Sequence, residues 1–226
     1  IVINKPVGMV VHPGAGNMTG TLVNALLHHY PKSSELARAG LVHRIDKDTS
    51  GLLVVAKNLE AQFALSKQLE KKTVYRVYDL IVYGNIIAGG TIDEPIKRHP
   101  VDRVKMAVLP GGKEAVTHYN VKERFQHFTR IQARLETGRT HQIRVHFSYL
   151  GYGLVGDQVY MPRVRMPAGA SQLLDDTLRG FKRQALHAAT LGLKHPRTKE
   201  EMTFNAPWPE DFANLVEVLR SENKAY

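Results

Sequence analysis

The chain has 226 residues, enough for one large domain or two small ones around a shared core, and its 43% apolar and 23% charged residues read as a globular protein. It contains no cysteine, which excludes a disulfide framework, a thiol nucleophile and any cysteine-ligated metal centre. The net charge of +10 points to a polyanionic partner, nucleic acid above all, because Lys and Arg supply the sequence-independent part of such affinity. No apolar run approaches the roughly 18 residues of a membrane span, and no secretory leader is visible. A cytoplasmic monomer with no membrane partner is the expectation.

In chain order, "IVINKP" predicts a strand, and "TLVNALLHHY" a short helix capped by Thr19 or Thr21. "GLLVVAK" has the continuous apolar run of a buried strand. Residues 58–72, "NLEAQFALSKQLEKK", predict an amphipathic helix with Asn58 as N-cap and Leu59, Phe63, Leu65 and Leu69 on one broad face. In "VYRVYDLIVYG" a period of two places Val74, Arg76, Tyr78, Leu80 and Val82 on one face of a strand. Arg76 there predicts a wet, functional side. "FTRIQARLE" alternates more strictly, Ile131, Ala133 and Leu135 against Arg130, Gln132 and Arg134. "LHAATLGL" and "EMTFNAP" add strands, and Phe212, Leu215, Val216 and Leu219 are spaced for a closing helix. Many strands follow one another without an intervening helix. The expected class is therefore α+β, with a mixed, mainly antiparallel sheet and flanking helices.

The stretch "HRIDKDTSG", His43 to Gly51, carries two aspartates two residues apart. It opens like a calcium-binding EF-hand loop, but the twelfth position, where a bidentate Glu belongs, is Lys57. A phosphoaspartyl enzyme would need an uninterrupted apolar strand before its aspartates, and His43 and Arg44 interrupt it. What remains is one working aspartate in a structured turn, or a capped turn with a surface ion pair. In the first case Arg44 and Lys47 favour the ionised form of Asp46. Asp48, Thr49 and Ser50 would fasten the turn, and Gly51 would allow close approach where the strand restarts.

The rest of the chain favours the working aspartate. "HRIDKDTSG" resembles the signature of the RNA pseudouridine synthases of the large-subunit ribosomal RNA (RluA) type. "NKPVGMVVHPG" resembles that family's opening Lys-Pro motif, and "YRVYDLIVYG" the motif of its active-site tyrosine, which falls on Tyr78. "RLETGRTHQIRVH" with "GYGLVGDQVY", and then "RQALHAATLGLKHP", resemble the later motifs in family order. Departures are small: Ile45 and Ile143 stand where Leu is common, and Met161 where Gly often stands.

The resemblance implies a pseudouridine synthase fold with a central active-site cleft, and isomerisation of a uridine already in RNA without metal or cofactor. It implies Asp46 as the catalytic carboxylate, Arg144 as its partner and Tyr78 stacked on the flipped uracil. Whether Asp46 attacks C1′ or assists a glycal-type intermediate stays open. Arg44, Arg76, Ile143 and Leu186 are candidates for lining the substrate site. Lys97, Arg98, Arg103, Lys105 and Arg139 are candidates for gripping the RNA backbone, since a base inside folded RNA must leave its stack to react. The segment "PRVRMPAGASQLLDDTLRGFKR" is expected to be a mobile basic loop. The expected partners are large-subunit ribosomal RNA and ribosome assembly particles. The same chemistry on tRNA is an alternative, as is an RNA-binding assembly factor, although the Asp, Tyr and Arg are all present. The whole chain, 1–226, reads as the catalytic domain, and the S4-type RNA-binding module that such proteins often carry at the N-terminus is expected to be absent.

Overall fold

A computed structural model describes residues 1–14 and 16–224. The α-helices and strands, in chain order, are β1 (Val2–Lys5), α1 (Leu22–His29), β2 (Ser50–Val54), α2 (Leu59–Glu70), β3 (Tyr75–Tyr83) and β4 (Gly90–Asp93). After these come β5 (Ile96–Arg98), β6 (Met106–Val108), β7 (Val116–Arg124), β8 (Phe128–Leu135) and α3 (Gln142–Tyr149). The chain closes with α4 (Gln172–Gly180), β9 (Leu186–Lys194), β10 (Glu201–Asn205) and α5 (Glu210–Lys224). The fold is α+β with a mainly antiparallel sheet, as the strand-to-strand connections predict. It divides into two compact units, Ile1–Arg76 with Ala188–Ala206, and Val77–His187 with Pro207–Tyr226.

In the first unit β1 runs antiparallel to β2, with Val2 opposite Val54 and Lys5 opposite Gly51. The long-range return brings β10 against β9, Phe204 opposite Leu191. Their apolar residues, with Leu65 of α2, make one core cluster. Of the two candidate caps, Thr21 starts α1 and forms a capping box with Asn24. Asn58 caps α2 as expected, accepting from the Ala61 N–H. The apolar face of α2 is not the expected one. Leu65 is buried, with Ala61 and Leu69 packed on the cluster, whereas Leu59 and Phe63 are 68% and 67% exposed. At 3.6 residues per turn Leu65 lies about 200° round from Phe63, so the four leucine and phenylalanine positions form two stripes.

In the second unit β8 lies between β3 and β7, all antiparallel, and β4 pairs with β7. The alternation of "FTRIQARLE" stands: Ile131 and Ala133 are fully buried, and Arg130, Gln132 and Arg134 are half-buried. Phe212, Leu215, Val216 and Leu219 of α5 enter a core with Ile81, Phe128, Leu174 and Leu178. Two expectations change. The segment read as a basic loop contains α4, whose N-cap Ser171 accepts from the Leu174 N–H while its hydroxyl donates to Glu222 on α5. The buried Leu174 and Leu178, one turn apart, hold the helix down where its cations had suggested mobility. The second change concerns β3: Arg76 and Tyr78 are 7% and 6% exposed, so the face they share is buried, not wet.

Candidate active site

In the first unit the backbone holds the aspartate turn. The Thr49 N–H closes it onto the Asp46 carbonyl at 3.1 Å, and the Gly8 N–H reaches the Lys47 carbonyl at 3.0 Å. Lys5, fully buried, donates its Nζ to the carbonyls of Lys47 and Pro6, both at 2.8 Å. A buried ammonium must find such acceptors, because desolvating it unpaired costs several kcal/mol. The "NKP" stretch and the aspartate turn thus form one piece. Thr49 and Ser50 are buried, Asp46 and Asp48 half-buried, and Arg44 exposed. At Gly51, φ is +107°, and any Cβ would strike the Ala188 carbonyl on the neighbouring strand.

His43, at the head of the turn, accepts the Val54 N–H at its Nε2, 3.0 Å away. Burial, and then the charge of Arg76, push its pKa down to about 3. The ring is therefore neutral, with its proton on Nδ1. Its ring keeps the entry to the turn tied to β2.

In the second unit "TGRTHQIRVH" becomes the start of α3 and its lead-in. Gln142 accepts from the Thr137 hydroxyl at 2.8 Å and the Arg139 N–H at 3.0 Å, and donates to the Val116 carbonyl and Thr117 Oγ1, both at 3.0 Å. His146 bonds Thr117 Oγ1 and the Glu94 carbonyl, each at 2.9 Å. A fully satisfied buried network of this kind fixes the helix to β7. His141 sits at the helix N-cap with φ +56° and ψ +21°, a left-handed conformation uncommon outside glycine.

Arg144, 5% exposed, is not a surface helix residue. Its Nε and Nη2 donate to the two carboxylate oxygens of Asp157 at 2.7 and 2.9 Å. Asp157 Oδ1 also accepts the N–H groups of Val159 and Tyr160, at 2.9 and 3.1 Å. Burial alone would raise the Asp157 carboxyl, but the hydrogen bonds and charge of Arg144 outweigh it and hold it below the usual range. The Arg144 guanidinium carbon lies 5.1 Å from the Tyr160 ring centre. The Tyr160 hydroxyl accepts the Met106 N–H at 2.9 Å and bonds His141 Nδ1 at 2.8 Å.

The predicted backbone-gripping cations cluster in this unit. Lys97, Arg98, Arg103 and Lys105 lie on or beside the β5–β6 hairpin, and Lys97, Arg98 and Arg103 are exposed. Several are partly engaged: Lys97 with the Pro110 carbonyl, Arg98 with the Arg103 carbonyl, and Lys105 with Asp102. Arg139 gives its Nε to the Glu114 carbonyl, and its N–H, expected to be open to phosphate, is taken by Gln142. Ile143 and Leu186 are buried apolar residues of the same unit.

Sequence reasoning missed Lys5, Gln142, Asp157 and Tyr160. All lie inside the motifs singled out, but nothing in one sequence says which motif members are buried against which. Cavity size is no guide here either. A cavity of about 1040 Å³ in the first unit, lined by β1, β2, β10 and α2, includes none of the predicted site residues. Among the described residues no cluster of three or more His, Asp or Glu could hold a metal ion.

Residues 1–149 match the RNA pseudouridylate synthase family. The chain is 57% identical over 226 residues to ribosomal large subunit pseudouridine synthase D of Vibrio parahaemolyticus, covering 100% of this chain and 70% of that protein. It is 54% identical over 222 residues to the protein of that name from Escherichia coli strain K12, covering 98% and 68%. The solved structure of human RNA pseudouridylate synthase domain containing 4 aligns with a TM-score of 0.74 at 26% identity, over 97% of this chain and 89% of that one. The chain belongs to the RNA pseudouridylate synthase family, and it is an isomerase of that class.

Proposed function

We propose that the protein isomerises uridine to pseudouridine in large-subunit ribosomal RNA, with Asp46 as the catalytic carboxylate, Tyr78 against the flipped uracil and Arg144 as the partner of the carboxylate. The reading is carried by the Asp46 turn, which Lys5, Gly8 and Thr49 hold rigid through backbone carbonyls and N–H groups. The names of the 54–57% identical relatives support the target. The reaction breaks the N1–C1′ bond, turns the uracil and joins C5 to C1′, after which C5 loses its proton and N1 ends with one, so that product and substrate are isomers. The net charge of +10 and the exposed cations of the β5–β6 hairpin suit a folded RNA held on its backbone while one base is out of its stack. The stem-loop at the ribosomal subunit interface is the proposed site, reached by a cytoplasmic monomer on assembling particles. Neither metal nor cofactor takes part, and no helix among the described residues is long and apolar enough to cross a membrane.

Tritium release from RNA labelled at uracil C5 tests this, in EDTA, with large-subunit rRNA and a tRNA pool side by side. Release from the rRNA alone is expected. Release from tRNA alone would move the substrate, and release from neither would leave an RNA-binding assembly role.

A further inference from the structure

The two residues that seat Arg144, Asp157 and Tyr160, come from the loop after α3, and none of the motif readings gives them a task. Asp157 is fully buried and its Oδ1 already accepts two backbone N–H groups. It cannot swing, so its two bonds to Arg144 fix the plane of the guanidinium as well as its position. Tyr160 stacks beneath that plane. Its hydroxyl is itself fixed from two sides, by the Met106 N–H of the cationic hairpin and by His141, whose left-handed backbone starts the helix that carries Arg144. A side chain with five N–H donors has many ways to lie in a wet site. Here the bonds to Asp157 and the ring of Tyr160 fix how it lies.

We propose that Asp157 and Tyr160 are positioning residues of the isomerisation, which preset the Arg144 guanidinium for the reacting carboxylate, and that the Tyr160 hydroxyl ties that seat to the RNA-gripping β5–β6 hairpin. The inference rests on the role proposed for Arg144. Positioning lost by about 1 Å costs on the order of 100-fold in rate, whereas substrate binding through a remote basic surface is untouched. Asp157→Asn should therefore lower kcat about 100-fold at unchanged affinity for RNA. Tyr160→Leu, which loses both ring and hydroxyl, should lower kcat as much and also weaken RNA affinity several-fold. Tyr160→Phe, which keeps the ring and loses the tie to Met106 and His141, should weaken RNA affinity several-fold and lower kcat less.

A chemical rescue separates positioning from mere stability. Arg144→Ala should be nearly inactive, and added guanidinium ion should restore part of its activity by filling the vacated seat. In Arg144→Ala combined with Tyr160→Leu, the same guanidinium should restore nothing. Melting temperatures of all variants are read alongside. If Arg144→Ala keeps full activity, the proposed role of Arg144 fails and this inference with it. If Arg144→Ala is inactive while Asp157→Asn and Tyr160→Leu turn over like wild type, or if guanidinium rescues the double variant equally well, the positioning role alone is overturned. Should Asp157→Asn fail to fold, the Tyr160 variants and the rescue decide.

Discussion

The turn that carries Asp46 and the helix that carries Arg144 are made rigid in opposite ways. The turn is held through its backbone: Lys5 and Gly8 bind the Lys47 carbonyl, Thr49 closes on Asp46, and Gly51 lets the chain pass against Ala188. Arg144 is held through its side chain, by a carboxylate on two atoms and a ring on one face. The difference suits the two tasks. In the proposed role the carboxylate has to meet substrate, and bonds to the backbone of its turn fix where it starts from. The guanidinium, as its proposed partner, has to be aimed, and Asp157 and Tyr160 fix its plane.

The largest effect expected from breaking this comparison is on the side-chain-held half. Asp157→Ala leaves a buried guanidinium without its carboxylate and should cost about 3–5 kcal/mol of stability, read by urea unfolding. A loss under about 1 kcal/mol would mean that the pair anchors little. On the backbone-held half, Gly51→Ala forces a side chain into a left-handed conformation against the Ala188 carbonyl. It should cost about 1–3 kcal/mol.

A pH series sharpens the same half. His43 takes its proton near pH 3 in the folded protein and near its ordinary 6.5 when unfolded. Between those values the unfolded chain binds the proton that the folded one refuses. The stability contributed by neutral His43 is thus complete above pH 6.5 and is lost as the pH falls, by up to about 1.4 kcal/mol per unit. His43→Gln, which keeps an acceptor for the Val54 N–H, should flatten that slope. An unchanged slope would place the titration elsewhere. The smallest effects belong to the periphery: Lys97→Ala and Arg103→Ala should leave stability within about 0.5 kcal/mol and each reduce the salt dependence of RNA binding by roughly 0.7–0.9 in slope.

What the sequence made legible follows the same division. The Asp46 turn is itself contiguous and could be read from nine adjacent letters, although Lys5, which helps to hold it from 42 positions away, could not. β8 declared its buried face by strict alternation. The Arg144 seat is assembled from residues 13 and 16 positions further along, in "GLVGDQVY", where Asp157 could as well have been a surface turn residue. Periodicity also cannot say whether a face is covered. It paired Arg76 with Tyr78 correctly and then took a buried face for a wet one. In α2 a count of apolar letters merged two stripes that helical geometry separates, and in α4 the flanking cations hid a helix anchored by Leu174 and Leu178.

The most direct test is single-turnover tritium release by Asp46→Asn, with RNA binding measured on the same preparation. The account predicts no release above background at wild-type affinity for the RNA, since the substitution removes the reacting charge and leaves the frame of Lys5, Gly8 and Thr49 intact. Release at the wild-type rate would show that the carboxylate of "HRIDKDTSG" does no chemistry.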